Sequence, residues 1–223
     1  MISGSDYFAE MLMPKLAARI IGAAPGITIQ ITELDPEDYL AAVRTGRSDL
    51  ALVPDFALRG WAEHQHVFNS EFAVIARRGH PETRHLEPGG DFPIDLFCKL
   101  AHITFSVEGK LATQSDALLA EMGLGRRVAM TTSDFSGVYR TVAQSNLISV
   151  LPAELAMAVA EETGIDAFRP PIPVGPARIH MAWHRRSSKS PAHTWFRGTI
   201  ADILRDLPAR FSLKSQTKAV ISG

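Results

Sequence analysis

The sequence has little that would support a disulfide, a membrane span or a nucleic-acid interface. Cys98 is its only cysteine, which excludes an intrachain disulfide and favours a reducing compartment. No apolar run approaches the roughly 20 residues that a membrane-spanning helix needs. The 23 Lys and Arg nearly balance the 24 Asp and Glu without any basic run, so the chain alone offers no footprint for nucleic acid. No signal peptide is visible, and these absences together predict a soluble cytoplasmic protein.

The motifs of common enzyme classes are also missing. No G-x-S-x-G elbow occurs, so nothing supports a nucleophilic serine hydrolase. The stretch Gly123-Leu124-Gly125 lacks the third glycine of a dinucleotide-binding loop and follows a predicted helix rather than a strand. Gly109-Lys110 has no glycine five positions earlier and is therefore not a P-loop. We expect neither an enzyme nor a cofactor.

Histidine spacing does not predict a metal site. His64 and His66 share one face of a predicted strand but have no partner that the sequence identifies. His180 and His184, in an extended segment, would be roughly 13 Å apart, which is too far to share one ion. We therefore expect no bound metal.

The clearest pattern that is present covers residues 27–54. Isoleucines alternate with polar residues at its start, which predicts a strand with one buried face. Asp35-Pro36 predicts the start of a short helix and Gly46 its end. The apolar run over residues 50–53 predicts a strand covered on both faces. Strand, helix and strand form one βαβ unit, whose parallel pair should have a ligand crevice at its carboxyl ends.

The other elements fall into two blocks joined by extended crossings. Apolar residues recur every four positions from Phe8 to Ile20 and predict a helix with a bend at Pro14. A long extended stretch is predicted over residues 66–77, followed by a proline-broken loop. The second block predicts helices near 95–100, 113–122, 133–144 and 152–164, and strands near 102–106, 127–132 and 147–151. An extended segment at 177–184 and a helix at 191–207 follow.

Two such blocks predict an α/β protein with two lobes. Lobe I would comprise residues 1–72 and 175–211, and lobe II residues 73–174, with a flexible tail at 212–223. A cleft between the lobes is the natural place for a small ligand.

Several motifs, in this order, resemble the effector-binding domain of LysR-type transcriptional regulators. The opening of that domain is similar to three motifs here: Ser5-Asp6-Tyr7-Phe8, Leu12-Met13-Pro14-Lys15-Leu16 and Pro25-Gly26-Ile27. The family's G-x-x-D-L-A-L stretch falls on residues 46–52. Further motifs resemble the branch that responds to aromatic compounds and flavonoids: Val150-Leu151-Pro152, Trp183-His184, Pro191 and Trp195-Phe196-Arg197. The resemblance covers residues 2–207.

The resemblance implies a type 2 periplasmic-binding-protein-like fold, with two Rossmann-like lobes joined by two crossover strands. It implies a small-molecule effector in the cleft and a winged helix-turn-helix domain that is absent from this chain. DNA and RNA polymerase would be partners only of the full-length protein, and no membrane would be involved. A homodimer or homotetramer is implied through lobe I, by way of the first helix and the strand at 27–34.

The resemblance also places three helix N-termini at the cleft, where unpaired N–H groups favour anions. They begin at Ser5-Asp6, Ser106-Val107 and Ser133-Asp134-Phe135. Their hydroxyls would orient a carboxylate or a phenol, and Phe105 or Phe135 would pack on an aromatic ring. The alternative is that these Ser and Asp residues only cap helices. We expect a small aromatic or carboxylated effector, although Asp6 and Asp134 oppose a strongly anionic one.

Four further residues each allow two interpretations. Thr104 is a pocket residue at a strand end or a plain sheet residue. Phe56 lines the cleft mouth or packs on the surface. His184 hydrogen-bonds an effector or reports pH, or it only holds a neighbouring loop. Cys98 is a core residue or a redox sensor.

Two other functions remain alternatives at this point. A solute-binding protein of a transporter has the same fold, but it would need an export signal. An enzyme on a related two-lobed fold would need a catalytic constellation, and the sequence shows none.

Overall fold

The computed structural model describes residues 1–34, 38–55 and 60–207, which form a mixed α/β fold. The strands are β1 (Ile2–Ser3), β2 (Ile31–Thr32), β3 (Leu50–Pro54), β4 (Ala62–Ser70), β5 (Phe72–Arg77), β6 (Ala101–Phe105), β7 (Arg127–Thr132), β8 (Ser149–Pro152), β9 (Ile165–Phe168) and β10 (Ala177–His184). The helices are α1 (Asp6–Ala23), α2 (Asp38–Thr45), α3 (Ile94–Lys99), α4 (Gln114–Glu121), α5 (Phe135–Ala143), α6 (Ala153–Thr163) and α7 (Pro191–Arg205). Within these ranges, no helix has both the length and the apolar character to span a bilayer.

The first sheet has the strand order β2-β1-β3-β10-β4. Strand β1 pairs parallel with β2 and with β3, whereas β10 runs antiparallel between β3 and β4. The run predicted as a fully covered strand is confirmed, because residues 50–53 of β3 are all buried. The predicted parallel pair needs correction: β2 and β3 do not pair with each other, since β1 lies between them.

Strand β2 is shorter than the isoleucine alternation predicted. It covers Ile31–Thr32, because the two residues of β1 offer pairing for only two residues of β2. Ile27 and Ile29 instead line an apolar groove beside α1. Helix α2 is followed, as predicted, by Gly46 in the left-handed region with φ of +80°. The predicted start of that helix at Asp35-Pro36 lies outside the described residues.

A second set of strands lies within residues 72–168. Strands β8, β5 and β9 form one sheet in that order, and β5 is antiparallel to both neighbours. Strands β6 and β7 form a parallel pair, which reaches β8 through a bridge between His102 and Ile148. In the core, the buried Phe92 contacts Phe97 and Phe168 edge to face, at centroid distances of 6.3 and 5.5 Å.

Two connections join these two sets of elements. The first is Glu71, which divides the predicted long extended stretch into β4 of the first sheet and β5 of the second. The second covers residues 169–176 and leads back to β10. We call the first sheet with α1, α2 and α7 lobe I, and the elements from β5 to β9 lobe II. The exact residue limits of the lobes stay a prediction, and the predicted tail lies outside the described residues.

Helix α1 continues through Pro14, where the sequence predicted a bend. Pro14 is exposed, whereas Leu12 and Leu16 on the opposite side are buried in the core. Burial of each such leucine is worth about 1.5–3 kcal/mol. That gain offsets the roughly 3 kcal/mol that a proline costs inside a helix.

Candidate functional site

Two helix N-termini meet at the junction of the lobes. Strand β1 leads into α1 and strand β7 leads into α5, so both helices start at the carboxyl ends of parallel strands. The N–H of Ser136 in α5 donates a hydrogen bond to Asp6 Oδ2 of α1 at 3.0 Å. This contact crosses between the lobes at the edge where α/β proteins bind their ligands.

The N-terminus of α5 is capped by Asp134 and not by Ser133, which the sequence predicted. Asp134 accepts hydrogen bonds from the N–H of Gly137 and, at 2.9 Å each, from the hydroxyls of Thr132 and Ser136. Burial acts to raise the pKa of Asp134, but these hydrogen bonds outweigh it and hold that pKa below its usual value. Ser133 itself is exposed.

Both helix N-termini already face a carboxylate of the protein. Asp6 accepts the N–H of Ser136 at the start of α5, and Glu33, which follows β2, lies close to the backbone of Asp6 at the start of α1. Burial, aided by the nearby charge of Asp134, raises the pKa of Asp6. Burial, with the charges of Asp6 and Asp134, raises the pKa of Glu33 to about 7. The junction is therefore acidic, and partial protonation of Glu33 relieves the repulsion near neutral pH.

An aromatic wall lies beside these carboxylates. Phe105 ends β6 and Phe135 starts α5, and their rings stack at a centroid distance of 4.1 Å with planes 4° apart. Tyr7 meets Phe135 edge to face at 6.3 Å. Phe105 and Phe135 are half-buried.

Ser5 and Ser106 differ in their positions. Ser5 occupies the N-cap position of α1, yet within the described residues its hydroxyl makes no capping hydrogen bond, so capping does not account for it. Ser106 does not start a helix, which corrects the prediction of a third helix N-terminus there. It enters a turn in which the Gly109 N–H donates to the Ser106 carbonyl at 3.2 Å, and α4 starts only at Gln114.

Thr104 is set apart from Phe105 by the geometry of the strand. The two are successive residues of β6, so their side chains point to opposite faces. Thr104 is buried, which agrees with its interpretation as a sheet residue.

His184 lies at the end of β10 that is remote from the junction. It pairs with Ala62, whereas Ile179 of the same strand pairs with Pro54 at the carboxyl end of β3. His184 Nδ1 accepts the N–H of Arg186 at 3.1 Å, so the side chain holds the following turn, the second of its two interpretations. Phe56 lies outside the described residues.

Cys98 is half-buried in α3. Burial and the nearby Asp95 raise the pKa of its thiol. A raised pKa disfavours the thiolate that redox chemistry needs.

The sequence predictions missed Glu33, although it was identifiable in principle. It directly follows β2, and residues that follow parallel strands lie at the ligand edge of the sheet. Among residues 1–34, 38–55 and 60–207, no group of three or more His, Cys, Asp or Glu is arranged to hold a metal ion.

The two crossings, the helix N-termini that meet at the junction of the lobes and the mixed sheets define an α/β domain of the type 2 periplasmic-binding-protein kind. Residues 1–205 match the family model of the LysR substrate binding domain, and the chain belongs to that family. The family predicted from the sequence motifs is thereby confirmed.

Curated relatives and solved structures agree with this assignment. The chain is 25% identical over 205 residues to the HTH-type transcriptional activator NahR of Pseudomonas putida, covering 91% of the chain and 65% of NahR. It is 25% identical over 205 residues to the HTH-type transcriptional regulator LinR of Sphingobium indicum, covering 91% of the chain and 66% of LinR. The chain thus spans slightly less than two thirds of either regulator. The regulatory domain of MexT, a transcriptional activator in Pseudomonas aeruginosa, is 23% identical with a TM-score of 0.77, covering 91% of the chain and 96% of that domain.

Proposed function

We propose that this chain is the effector-sensing part of a longer LysR-type transcriptional regulator that works in the cytoplasm. A small aromatic molecule would bind between the lobes, beside the stacked pair of Phe105 and Phe135. The observation that carries the proposal is the hydrogen bond from Ser136 to Asp6, because it joins the lobes beside this aromatic wall. The effector would shift the equilibrium between two arrangements of the lobes, and only to the extent that it binds one arrangement more tightly than the other.

We further propose that the effector presents a neutral hydroxyl rather than a carboxylate. A carboxylate entering at either helix N-terminus would meet the carboxyl group of Asp6, which already accepts the N–H of Ser136, or that of Glu33. The buried Asp6 Oδ1 has no hydrogen-bond partner in the described part of the chain, so it can accept one from a phenol. The hydroxyl of Ser5 is the proposed second polar contact. Similarity to NahR and LinR agrees with the aromatic branch that the motifs resemble.

A thermal-shift screen tests this site. We expect neutral phenols and flavonoids to raise the melting temperature of the wild type more than aromatic acids of the same ring size do. Replacing Phe105→Leu should reduce the shift caused by the best ligand, because the ring is lost while an apolar side chain remains. Trp195→Ala is the matched control, since Trp195 is an aromatic residue that is 42% exposed on α7. Equal loss in both variants, or no loss in the Phe105 variant, would remove Phe105 from the site.

Control of transcription would be exerted through a DNA-binding domain outside this chain. DNA and RNA polymerase are therefore proposed partners of the longer protein. NahR, LinR and MexT are transcriptional regulators by name, and we propose no catalytic role for this chain. The family match does not favour the alternative of a solute-binding protein.

Assembly is proposed through an apolar groove on lobe I. The groove is a cavity of about 250 Å³ between α1 and the segment before β2. Its apolar lining residues are Met13, Leu16, Ala17, Ile20, Ile21, Ala24, Pro25, Ile27 and Ile29. Ile21 is 72% exposed, and exposed apolar surface of this kind marks protein contacts. A second copy of the chain is the proposed occupant, in a homodimer or homotetramer.

A further inference from the structure

Three histidines meet on one face of lobe I. His180 lies on β10, and His64 and His66 lie on the neighbouring β4. The antiparallel register pairs His180 with His66 and Ala182 with His64. Paired residues of adjacent strands point to the same face, so the fold brings His180 to the two histidines that lacked a partner in the sequence. We call these three residues the histidine cluster.

The rings of the histidine cluster are in direct contact. His64 Nδ1 lies 3.2 Å from His180 Nδ1, and the ring of His180 meets those of His64 and His66 edge to face at 5.1 and 5.3 Å. His180 is only 5% exposed, and its Nε2 has no hydrogen-bond partner among the described residues. His66 Nε2 is bound to Asn69 Oδ1 at 2.9 Å.

A hydrogen bond between the Nδ1 atoms of His64 and His180 requires that one of these two atoms, and not both, carries a proton. A neutral imidazole has one N–H donor and one acceptor nitrogen, whereas a protonated ring has two donors. The hydrogen bond therefore forms when one Nδ1 donates and the other accepts. If both rings are protonated, two N–H groups and two positive charges face each other at the same distance, and the contact becomes repulsive.

The charges around His180 also disfavour its protonation. Burial, His64, His66 and Arg178 lower the pKa of His180, and Asp55 at the end of β3 raises it less. Asp55 is itself close to Arg178, with 3.9 Å between the charged groups.

Two helices pack against these strands. The charged residues of α2, which contacts β10, are Asp38 and Arg44. Helix α7 packs on the other face of the sheet: Arg197 stacks on Trp183, which lies three positions from His180 on β10 and therefore points away from the histidine cluster.

The histidine cluster also lies on the two strands that carry both crossings. Strand β4 continues through Glu71 into β5, and β10 receives the chain after residues 169–176. The pairing of β4 with β10 is irregular between Ile179 and His180, so the cluster sits at an interruption of the ladder. Separation of β4 from β10 here would loosen both crossings together.

We propose that His64, His66 and His180 form a pH-sensitive contact that fastens β4 to β10 at the base of the two crossings. The contact is closed while His64 and His180 share one proton and opens when both are protonated. It belongs to lobe I itself and operates without an effector.

The sign of the pH effect follows from linkage. The pKa of His180 is lower in the folded state than its ordinary value of 6.5. The stability that this histidine contributes is therefore fully present when the pH is above 6.5, and it is lost as the pH falls through the pKa of the folded state. Acid should therefore weaken the contact. Other acid-sensitive groups act equally in the wild type and in variants of the cluster, so the difference between proteins isolates the cluster.

The test compares wild type, His64→Asn and His85→Asn between pH 7.5 and 5.5. His85 is the matched control, because it is an exposed histidine in lobe II. We expect the melting temperature of the wild type and of the control to fall by about 2–4 °C more than that of the His64 variant. Amide exchange, corrected for intrinsic rates, should show acid-induced loss of protection in β4 and β10 but not in β5 and β8.

Identical pH profiles for wild type and the His64 variant would overturn the proposal. His180→Asn provides a second comparison: if it folds, it should show the same reduced pH dependence, and an unchanged dependence counts against the proposal. All measurements are repeated with EDTA. If EDTA alters the pH dependence of the melting temperature in the wild type but not in the His64 variant, His64 and His180 bind a metal ion instead of sharing a proton. That result would also overturn the proposal.

Discussion

At the scale of single residues, Asp134 and Ser133 show how neighbours in sequence differ in role. Asp134 accepts three hydrogen bonds at the start of α5, whereas Ser133 is exposed. We predict that Asp134→Ala lowers the free energy of unfolding by about 1 kcal/mol, because the cap is lost. Ser133→Ala should leave it nearly unchanged. Urea denaturation of both variants checks this, and an equal loss in both would return the capping role to Ser133.

Glu33 predicts a specific pH dependence of stability. Its pKa is raised to about 7 in the folded state from an ordinary value of 4.5. The folded state therefore binds this proton more tightly, and the resulting stability is present below pH 4.5 and lost as pH rises through 7. Glu33→Gln should remove this loss, so its free energy of unfolding should fall less than that of the wild type between pH 5 and 7.5.

The matched control for this prediction is Glu121→Gln, an exposed carboxylate on α4. Its stability profile should run parallel to that of the wild type. If the profile of the Glu33 variant also runs parallel to that of the wild type, the pKa of Glu33 is not raised in the folded state.

Some residues at the junction of the lobes were predictable from the sequence, and others were not. The family resemblance implied that Ser5, Asp6 and Phe135 lie at the cleft, and in the structure Asp6 and Phe135 start the two helices that meet at the junction of the lobes. Ser106 also follows a strand, but the helix expected there starts at residue 114, since the turn at Gly109 intervenes. Glu33 was missed because a lone acidic residue after a short strand resembles an ordinary exposed one.

At the scale of elements, α1 offers a direct test of how packing overrides local preference. Pro14 lacks the N–H that would bond to the preceding turn, yet the helix continues because its opposite face is buried. We predict that Pro14→Ala raises the free energy of unfolding by about 1–3 kcal/mol. Lys15→Ala, at the adjacent exposed position, should change it by less than about 0.5 kcal/mol. A destabilised Pro14 variant would mean that the helix needs the geometry that proline imposes.

The pattern of apolar residues predicted most elements but not their pairing. The stretch over residues 66–77 looked continuous, because nothing local marks Glu71 as the point where the chain leaves one sheet for another. Strand β9 was missed because Pro170 and Pro171 follow it closely and made the segment look like part of a crossing. Pairing depends on contacts far apart in sequence, which periodicity does not encode.

At the scale of the whole molecule, the groove on lobe I predicts the state of association. Ile21→Asp places a charge in the proposed interface and should shift the chain toward monomer in sedimentation velocity. Met157→Asp is the matched control, since Met157 is 47% exposed on α6 of lobe II. A monomeric wild type, or equal effects of both substitutions, would contradict assembly through this groove.

The two-lobed architecture was predictable because alternating strands and helices leave few arrangements open, and two extended crossings separated the blocks. The contact between the lobes was not predictable from the sequence, because it depends on the angle between the two lobes. The acidic character of the junction emerges only once Asp6, Glu33 and Asp134 converge there.

The position of β10 has a consequence for the order in which the chain matures on the ribosome. Strand β10 lies between β3 and β4, so the first sheet stays in two unjoined pieces until residue 184 has been synthesised. Strands β5 to β9 are contiguous in sequence and are complete before that point. Lobe II is thus able to fold during synthesis while lobe I waits for its last strand, and nascent chains halted before β10 should already resist proteolysis in lobe II alone.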